Sequence, residues 1–401
     1  TWIMVEGKTD ADAFFIIRQG NVRLVKETEV VEEQGSNVLN PGDFFGVISC
    51  MSGHPRIESA ISLTDVSLIV VKKNQFGLLI QKNTPIALKI IRSFSQRLRY
   101  FDEALTKISF KKSVESDTKE LFNIGLYYLN AKNNNLSVYA FYKFLKLFNE
   151  DKELIKKAKS YFDNLKRYAR DALNMNQTNE GFTRVFSHNT FIFCEHEPGN
   201  ELYIIQAGNV KITKIVDENE IMIAVLNPGD IFGEMAILEN KPRSANAIAE
   251  GNVTVFAVNS ENFQGMVTKQ PQLATKLITL LAERIWLIYR QLANNLIKDP
   301  VGRLYDTLLT QLLKFKVEPK KGAKHIFDFG VSDLLKMTGL DPIQDRASVE
   351  HIQKNSKFRI LEGGKIQCND LEEVEKQANY YKKMEMMERK REQQKRAGYS
   401  R

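Results

Sequence analysis

The stretch Asn-Pro-Gly-Asp-Ile-Phe-Gly at residues 227–233 has a near copy, Asn-Pro-Gly-Asp-Phe-Phe-Gly, at residues 40–46. A second motif precedes each copy. It reads Gly-Asn-Val-Lys at 208–211 and Gly-Asn-Val-Arg at 20–23. The two pairs are separated by 187 and 188 positions. Because solenoid repeats have periods of roughly 20–50 residues, this spacing predicts two whole domains of one kind.

Each copy alternates short apolar runs with turn residues, as in Phe-Phe-Ile-Ile at 14–17 and Tyr-Ile-Ile at 203–205. Many short strands joined by Gly and Pro turns are typical of sandwiches, barrels and jelly rolls. A segment with helical periodicity follows each copy. The expected fold class is therefore α+β, with two jelly-roll-like β-rolls, a long helix after each, a helical linker between them and a further C-terminal domain.

Composition and charge exclude several classes of protein. Of the net charge of +8, most lies in residues 382–401, which contain eight basic and three acidic side chains, so the body gives no nucleic-acid signal. The three cysteines, Cys50, Cys194 and Cys368, are far apart, and we expect neither a disulfide framework nor a metal site.

Because no P-loop or G-x-G-x-x-G motif occurs, we expect no enzyme, no catalytic residues and no cofactor. No run approaches the roughly 20 apolar residues of a membrane span, and we expect a cytoplasmic protein.

The second copy continues into a pattern suited to an anion. Gly233 allows close backbone approach, the turn after it predicts a helix N-terminus, and Arg243 offers a planar fork of donors. Glu234 is an acceptor for a sugar hydroxyl. This pattern resembles the phosphate-binding cassette of the cyclic-nucleotide-binding-domain family, which includes the catabolite activators (Crp/Fnr), the regulatory subunits of cyclic-AMP-dependent kinase and the cyclic-nucleotide-gated channels. The resemblance implies a ligand site formed by Gly233, Glu234, Met235, Ala236, Arg243, Ser244 and Ala245.

The resemblance also bears on the choice of base. In the family the helix after the roll closes over the base, and alignment with the catabolite activators places Tyr289 where an adenine contact lies. Tyr289 is therefore expected to stack on the ligand. Ser244 favours cAMP, since family members that prefer cGMP commonly have threonine there, and cGMP stays open as the alternative.

The first copy retains only part of this set. Gly46 and Arg56 keep the spacing, but Val47 stands in the position of Glu234, and Glu58 in that of Ala245. The ribose acceptor is therefore missing, and a carboxylate lies where it repels a phosphate. We expect a degenerate site in which Arg56 pairs with Glu58, a scaffold or regulatory copy, with residual binding of a nucleotide or another anion as the alternative.

Two helical segments have no assigned chemistry. Residues 271–297 are apolar on more than one face, so we expect the helix to be covered by a second copy in a homodimer, with packing against the first copy as the alternative. Residues 106–175 resemble one degenerate tetratricopeptide-type hairpin. We interpret them as a structural spacer, with a binding role as the alternative.

The C-terminal part resembles, weakly, that of the catabolite activators: a hinge helix over 300–313, then a winged helix-turn-helix over 327–359. The second of its helices is expected over 342–354. Its start offers the acids Asp341, Asp345 and Glu350 against Arg346 and Lys354, which argues against base readout. DNA and a protein partner both stay open. The domains expected are 1–105, a first binding domain that lacks its N-terminal residues, then 106–175, 176–297, 298–370 and a basic helical tail at 371–401.

Overall fold

The computed structural model describes residues 1–26, 37–110, 119–173, 182–216, 219–341 and 343–398. Its contacts divide the chain into two compact units. Unit 1 consists of residues 1–74 and 282–401, and unit 2 consists of residues 75–281. Each unit contains one β-roll together with helices, so the expected α+β class is confirmed. Because each unit joins segments from several expected domains, the domain boundaries themselves stay predictions.

The first roll lies in unit 1 and forms two antiparallel sheets, with the strand orders β1-β6-β3-β4 and β5-β2-β7. One short helix interrupts the strands in the described part of this roll. The elements are β1 (Trp2–Met4), β2 (Ala13–Gln19), β3 (Val22–Val25), β4 (Val38–Leu39), β5 (Phe44–Phe45), α1 (Val47–Ser52), β6 (Ser59–Ser62) and β7 (Ser67–Lys72). Its core is made of the inward-facing residues Met4, Ile17, Val22, Phe45 and Ala60.

Unit 2 begins with helices that follow the first roll in sequence: α2 (Phe76–Lys82), α3 (Thr84–Phe110), α4 (Glu120–Asn130), α5 (Asn134–Leu147), α6 (Lys152–Leu165) and α7 (Ala169–Ala172). The second roll comes next, as β8 (Thr183–Phe186), β9 (Phe191–Phe193), β10 (Glu201–Val216), β11 (Asn219–Leu226), β12 (Ile231–Phe232), α8 (Glu234–Glu239) and β13 (Asn246–Asn259). Its strands run β11-β10-β13-β8, with β12 paired to β10 and β9 to β13. The helices α9 (Ser260–Lys269) and α10 (Pro271–Asn295) follow, and α10 continues into unit 1.

The repeated Asn-Pro-Gly-Asp turn forms the same contacts in both rolls. Asp43 accepts a hydrogen bond from the backbone of Asn40 at 2.9 Å, and Asp230 accepts one from the backbone of Asn227 at 2.9 Å. In the second turn Gly229 lies between Asn227 and Asp230 and has a φ of 90°, which residues with a side chain rarely adopt. The repeat in the sequence therefore encodes one turn used twice.

The linker helices share a hydrophobic core with the second roll. Phe141 packs against Gly125 in the α4–α5 hairpin, and the Ser137 hydroxyl donates to the Gly125 carbonyl at 2.9 Å. This core also contains Phe191 and Ile248 from the second roll. The segment interpreted as a spacer is thus part of the structure that supports the second roll.

The C-terminal part of unit 1 contains α11 (Pro300–Lys314), β14 (His325–Gly330), α12 (Val331–Thr338), α13 (Arg346–Lys354), β15 (Phe358–Ile360), β16 (Lys365–Cys368) and α14 (Leu371–Gly398). The sheet order is β14-β16-β15. Asp299 caps α11 by accepting from the backbone of Val301 at 2.8 Å. Helix α13 begins at Arg346, later than predicted, because Asp341 and Asp345 bind backbone N–H groups in the preceding turn. The winged-helix assignment itself stays a prediction.

Helix α10 carries the apolar stripe expected to form a dimer. Its side chains Leu281, Ile285 and Leu292 are fully buried within the single chain. The stripe therefore no longer argues for a second copy, and the homodimer stays a prediction. No helix in the described ranges is long and apolar enough to cross a membrane.

Candidate functional site

The second-roll cassette (residues 232–245) turns sharply where β12 ends. Gly233 has a left-handed backbone, with a φ of 75°, and directly precedes α8. A Cβ atom added to Gly233 would lie 2.7 Å from Nη1 of Arg243. Both the backbone angle and the available space therefore require glycine here.

Arg243 is the central side chain of this cassette and is only 5% exposed. Its Nη1 donates to the carbonyl of Gly233 at 2.7 Å, and its Nη2 donates to the carbonyl of Glu201 at 2.8 Å. The guanidinium lies over the ring of Phe193, 4.1 Å from its centroid. Gly199 lies on another side of the guanidinium, because a Cβ atom added to this glycine would lie 2.3 Å from Nε of Arg243. Backbone carbonyls and an aromatic face thus fix the position of the guanidinium.

The remaining predicted residues lie around Arg243. Glu234 is 1% exposed at the start of α8, and the hydroxyl of Ser244 lies 3.6 Å from the sulfur of Met235. Ala236 is buried and Ala245 is half-buried. The structure thus places all seven cassette residues in one turn-helix-turn: Gly233, Glu234, Met235, Ala236, Arg243, Ser244 and Ala245.

This arrangement offers donors for an anion and an acceptor for a hydroxyl. A guanidinium has five N–H donors, and the two bonds to carbonyls leave donors unused. The Nε–H of Arg243 has no hydrogen-bond partner in the part of the chain that the structure describes. The first backbone N–H groups of α8 also have no partner within the helix. A cyclic phosphate with an adjacent ribose hydroxyl matches these groups in charge and in hydrogen-bonding type.

The first-roll cassette (residues 45–58) has the same backbone frame. Gly46 has a φ of 76°, and Nη1 of Arg56 donates to its carbonyl at 3.0 Å. Nη2 of Arg56 donates to the carbonyl of Ala13 at 2.8 Å, which corresponds to Glu201 by the 188-residue shift. Arg56 forms an ion pair with Asp10, with Nε 3.6 Å from Oδ1. Asp10 is thus an ionic partner of Arg56 that the sequence did not indicate.

The chemical groups of the first-roll cassette differ from those of the second. Val47 is 2% exposed in the position that Glu234 has in the second roll. Glu58 is 4% exposed in the position of Ala245. The first-roll cassette therefore keeps the arginine and the glycine turn, but it has no acceptor for a ribose hydroxyl at the corresponding position.

A protein-family model described as "Cyclic nucleotide-binding domain" matches residues 1–83 and 183–270. Both rolls are cyclic nucleotide-binding domains. Each match covers a roll together with the first helix after it, α2 or α9. The tandem arrangement expected from the internal repeat is thereby confirmed.

Several curated proteins are similar to this chain. The "CRP-like cAMP-activated global transcriptional regulator" of Mycobacterium tuberculosis is 25% identical over 188 residues, which is 47% of this chain and 84% of that protein. The "Cyclic AMP receptor protein" of Thermus thermophilus is 31% identical over 103 residues, 25% of this chain and 48% of that protein. The crystal structure of Thermus thermophilus catabolite activator protein, at 23% identity, covers 50% of this chain and 90% of its own, with a TM-score of 0.27. The regulatory domain of Toxoplasma gondii PKA with cAMP, at 18% identity, covers 67% and 79%, with a TM-score of 0.21.

In unit 2, the second cyclic nucleotide-binding domain is covered by α3, the helix that follows the first domain in sequence. Helix α3 packs against α8 of the second-roll cassette. Both terminal nitrogens of Arg99 on α3 lie 3.5 Å from the carbonyl oxygen of Pro242, next to Arg243. One turn later, Asp102 accepts a hydrogen bond from Lys214 of β10 at 2.9 Å.

In unit 1, the first cyclic nucleotide-binding domain is covered by α10, the helix that follows the second domain. Trp286 stacks on His54 with 4.1 Å between the ring centroids, and its Nε1 donates to the carbonyl of Pro55 at 3.2 Å. Burial, with the positive charges of Lys316 and Lys73, lowers the pKa of His54 to about 4, so the stacked imidazole is neutral at pH 7.

Tyr289, predicted to stack on a ligand of the second domain, lies in unit 1. Its hydroxyl lies 3.4 Å from Oε1 of Glu6, and Lys26 lies 5.5 Å above its ring. The structure therefore does not group Tyr289 with the seven cassette residues, and its role in a ligand site stays a prediction. The 187-residue shift that relates the cassettes also relates Arg99 to Trp286. That correspondence was a sequence signal for the contact that α3 makes with Pro242.

A cluster of buried ionisable side chains, Lys214, Asp102 and Glu195, lies at α3 in unit 2. Burial raises the pKa of Glu195 to about 8. The positive charge of Lys214 opposes this rise, and the negative charge of Asp102 adds to it. Lys214 lies 2.9 Å from Asp102 but 3.9 Å from Glu195. Because Asp102 balances the charge of Lys214, Glu195 is protonated at neutral pH in the folded protein. No group of three or more metal-ligating side chains occurs among the residues that the structure describes.

Helix α13 has three charged side chains on one face, Arg346, Glu350 and Lys354. Nε of Arg346 lies 3.1 Å from Glu350, and Nζ of Lys354 lies 2.9 Å from the other oxygen of Glu350. Arg346 and Lys354 are about four-fifths exposed. One carboxylate therefore pairs with both cations, and one positive charge of this face is left over.

Proposed function

We propose that this protein is a regulator that binds one cyclic nucleotide per chain, at the second cyclic nucleotide-binding domain, and passes the binding event to its C-terminal part. The observation that carries the proposal is the difference between two otherwise matching cassettes. Both contain an αL glycine and a buried arginine, but Glu234 is present in the second and Val47 replaces it in the first. Only the second cassette therefore has groups for both the phosphate and the ribose.

The contacts of Arg243 support its role toward the phosphate. A charged arginine that is fixed by two carbonyls and an aromatic ring is preorganised, so little side-chain freedom is lost on binding. Its remaining N–H donors match the equatorial oxygens of a cyclic phosphate. Glu234 accepts from the ribose 2′-hydroxyl. Ser244 favours cAMP as the ligand, in line with the cAMP named in two of the similar regulators.

Titration calorimetry with cAMP and cGMP tests this proposal. We expect one site per chain and tighter binding of cAMP. Arg243→Ala removes charged hydrogen bonds worth about 1.5–3 kcal/mol, so it should weaken binding at least about tenfold. The matched control is Arg56→Ala, which removes the corresponding arginine of the first domain and should leave affinity unchanged.

A second variant separates ligand contact from folding, since Arg243 also holds two backbone carbonyls. Glu234→Val gives the second cassette the residue of the first and keeps Arg243 in the chain. We expect this variant to keep the circular dichroism spectrum and to lose affinity. Two bound nucleotides per chain, or full affinity in both Arg243→Ala and Glu234→Val, would contradict the proposal.

Sequence-specific DNA binding is the alternative output, and it is favoured by the names of the transcriptional regulators that the chain resembles. The charge arrangement of α13 opposes it, since Glu350 pairs with both Arg346 and Lys354. DNA affinity depends on unpaired cations that neutralise phosphates. We therefore favour a protein partner as the output.

A gel-shift assay with random genomic fragments, with and without cAMP, separates these outputs. The tail must be shortened with care, because Arg389 donates to the carbonyl of Leu296 and Glu385 accepts from the backbone of Lys298. Removal of residues 392–401 leaves both contacts intact. Ligand-dependent retention of particular fragments by the shortened chain would establish DNA as the output. Retention that is lost on removal of residues 392–401 indicates nonspecific charge.

A further inference from the structure

Helix α5 of the helical linker contacts the segment that leads into β10 of the second roll. Its residues Tyr139 and Lys143 are four positions apart and so share one face of the helix. The hydroxyl of Tyr139 donates to the two carboxylate oxygens of Glu197 at 3.1 and 3.3 Å, and Nζ of Lys143 lies 3.2 Å from Oε2. Because Glu197 is only 5% exposed, these two side chains replace water around a buried carboxylate.

The backbone of the same segment holds the cassette arginine. The carbonyl of Glu197 accepts a hydrogen bond from the backbone N–H of Arg243 at 2.9 Å, and the N–H of His196 donates to the Arg243 carbonyl at 3.0 Å. Further along the segment, the Glu201 carbonyl accepts from Nη2 of Arg243, and Gly199 borders its Nε. The segment therefore contacts Arg243 at its backbone and at its guanidinium, and the Glu197 side chain attaches the segment to α5.

The two side chains of α5 are themselves held in place. Tyr139 is 6% exposed, and its ring lies 5.2 Å from the ring of Phe191. Burial raises the pKa of Tyr139 well above its usual value, so its hydroxyl stays protonated and remains a donor to Glu197. Nζ of Lys143 lies 5.0 Å from the centroid of the Tyr139 ring, where a cation is attracted to the aromatic face. Glu197 is thus bound by groups with fixed positions.

The first roll has the same backbone bond with a different side chain. The carbonyl of Lys8 accepts from the backbone N–H of Arg56 at 2.8 Å, as that of Glu197 does from Arg243. Lys8 is exposed, whereas Glu197 is buried. A carboxylate that binds α5 is thus present beside the cassette that keeps Glu234, and an exposed cation stands in its place beside the other cassette.

We propose that Tyr139 and Lys143 of the helical linker are positioning residues for the ligand site of the second domain, which act through Glu197 on the segment that fixes Arg243. This inference rests on the proposed function of that domain. A guanidinium that is already held in place loses little freedom on binding. Release of the segment should therefore lower the affinity for the nucleotide, although no group that contacts the nucleotide has been removed.

The experiment is calorimetric titration of the full chain with cAMP, for Tyr139→Phe and for the matched control Tyr128→Phe. Tyr128 of α4 also packs on Phe191, and its hydroxyl donates at 2.6 Å to Glu220, which lies at the opposite end of β10 from Glu201. Each variant loses one hydrogen bond from a tyrosine of the linker to a carboxylate of the second roll, so both melting temperatures should fall by similar amounts. Only Tyr139→Phe should bind cAMP more weakly, by about two- to thirtyfold, as expected for a substitution that acts through a packed network.

Lys143 supplies a second test that leaves the buried ring unchanged. Lys143→Met removes the cation and should weaken cAMP binding within the same range, whereas Lys143→Arg keeps the cation and should bind as the wild type does. Wild-type affinity in Tyr139→Phe or in Lys143→Met, or an equal loss of affinity in Tyr128→Phe, overturns the inference while the proposed function stands. Absence of cAMP binding by the wild-type chain itself overturns both.

Discussion

Replacement of Gly233 by alanine tests the geometry of the cassette on which every functional statement depends. The backbone of Gly233 has a φ of 75° and a ψ of 5°. An alanine Cβ would lie 2.7 Å from Nη1 of Arg243, 3.2 Å from the ring of Phe193 and 3.3 Å from the carbonyl oxygen of Glu201. The contact with Nη1 is closer than real Cβ atoms show, so Arg243 must move.

The cost has two parts. An L-residue in the left-handed region costs about 1–2 kcal/mol. Displacement of Arg243 breaks its 2.7 Å hydrogen bond to the Gly233 carbonyl, and a charged hydrogen bond is worth about 1.5–3 kcal/mol. The total is about 2.5–5 kcal/mol. For a unit of this size, the melting temperature should fall by roughly 5–20 °C.

The assay is thermal unfolding by circular dichroism, followed by calorimetric titration with cAMP at a temperature where the variant is folded. Gly46→Ala is the matched control, since Gly46 has a φ of 76° and its added Cβ would lie 2.9 Å from Nη1 of Arg56. Both variants should lose stability. Only Gly233→Ala should lose affinity for cAMP, by at least tenfold, because it displaces Arg243, the side chain proposed to bind the phosphate.

Three results would contradict this description of the two cassettes. A Gly233→Ala chain that melts within one or two degrees of the wild type (about 0.5 kcal/mol) would mean that Arg243 and the turn are not packed as described. A Gly233→Ala chain that is destabilised but binds cAMP normally would mean that Arg243 does not contact the ligand. Loss of affinity in the Gly46→Ala control would place the ligand in the first domain.

Three further expectations concern stability. Because the folded-state pKa of Glu195 is raised to about 8, from 4.5, the folded protein keeps a proton that the unfolded chain releases, and stability should fall by up to about 1.4 kcal/mol per pH unit between those values. Glu195→Gln should remove that slope in urea titrations at several pH values, and an unchanged slope would show that the carboxyl is ionised when folded. Trp286→Phe keeps the ring on His54 but removes the donor to the Pro55 carbonyl, so denaturant titration should show a loss of about 0.5–1.5 kcal/mol, and none would contradict the bond. Ile285→Glu places a carboxylate at a position with no exposed surface, so circular dichroism should show unfolding. A folded Ile285→Glu monomer derived from a wild-type dimer in light scattering would instead restore the dimer interpretation.

Much of the local structure was predictable from the sequence. The Asn-Pro-Gly-Asp turns, the glycine before each cassette helix and the helix starting at Pro300 follow from short-range chemistry: side chains that bind nearby N–H groups, and backbone angles that only glycine readily adopts. Helix α13 was predicted to begin too early. The reason is that Asp341 and Asp345 satisfy backbone groups in a turn, which competes with helix formation.

The sequence alone determined that two copies of one domain are present, that the second keeps Gly233, Glu234 and Arg243, and that the first replaces the glutamate by Val47. These are properties of residues at fixed spacing, and no long-range contact changes them. Which helix covers which cassette depends on long-range packing. Apolar periodicity predicts that α3 and α10 are buried. It does not predict which surface covers each helix, because the hydrophobic effect is non-directional. The helix next to a cassette in the chain was the natural choice from sequence, whereas the folded units pair Arg99 with Pro242 and Trp286 with Pro55.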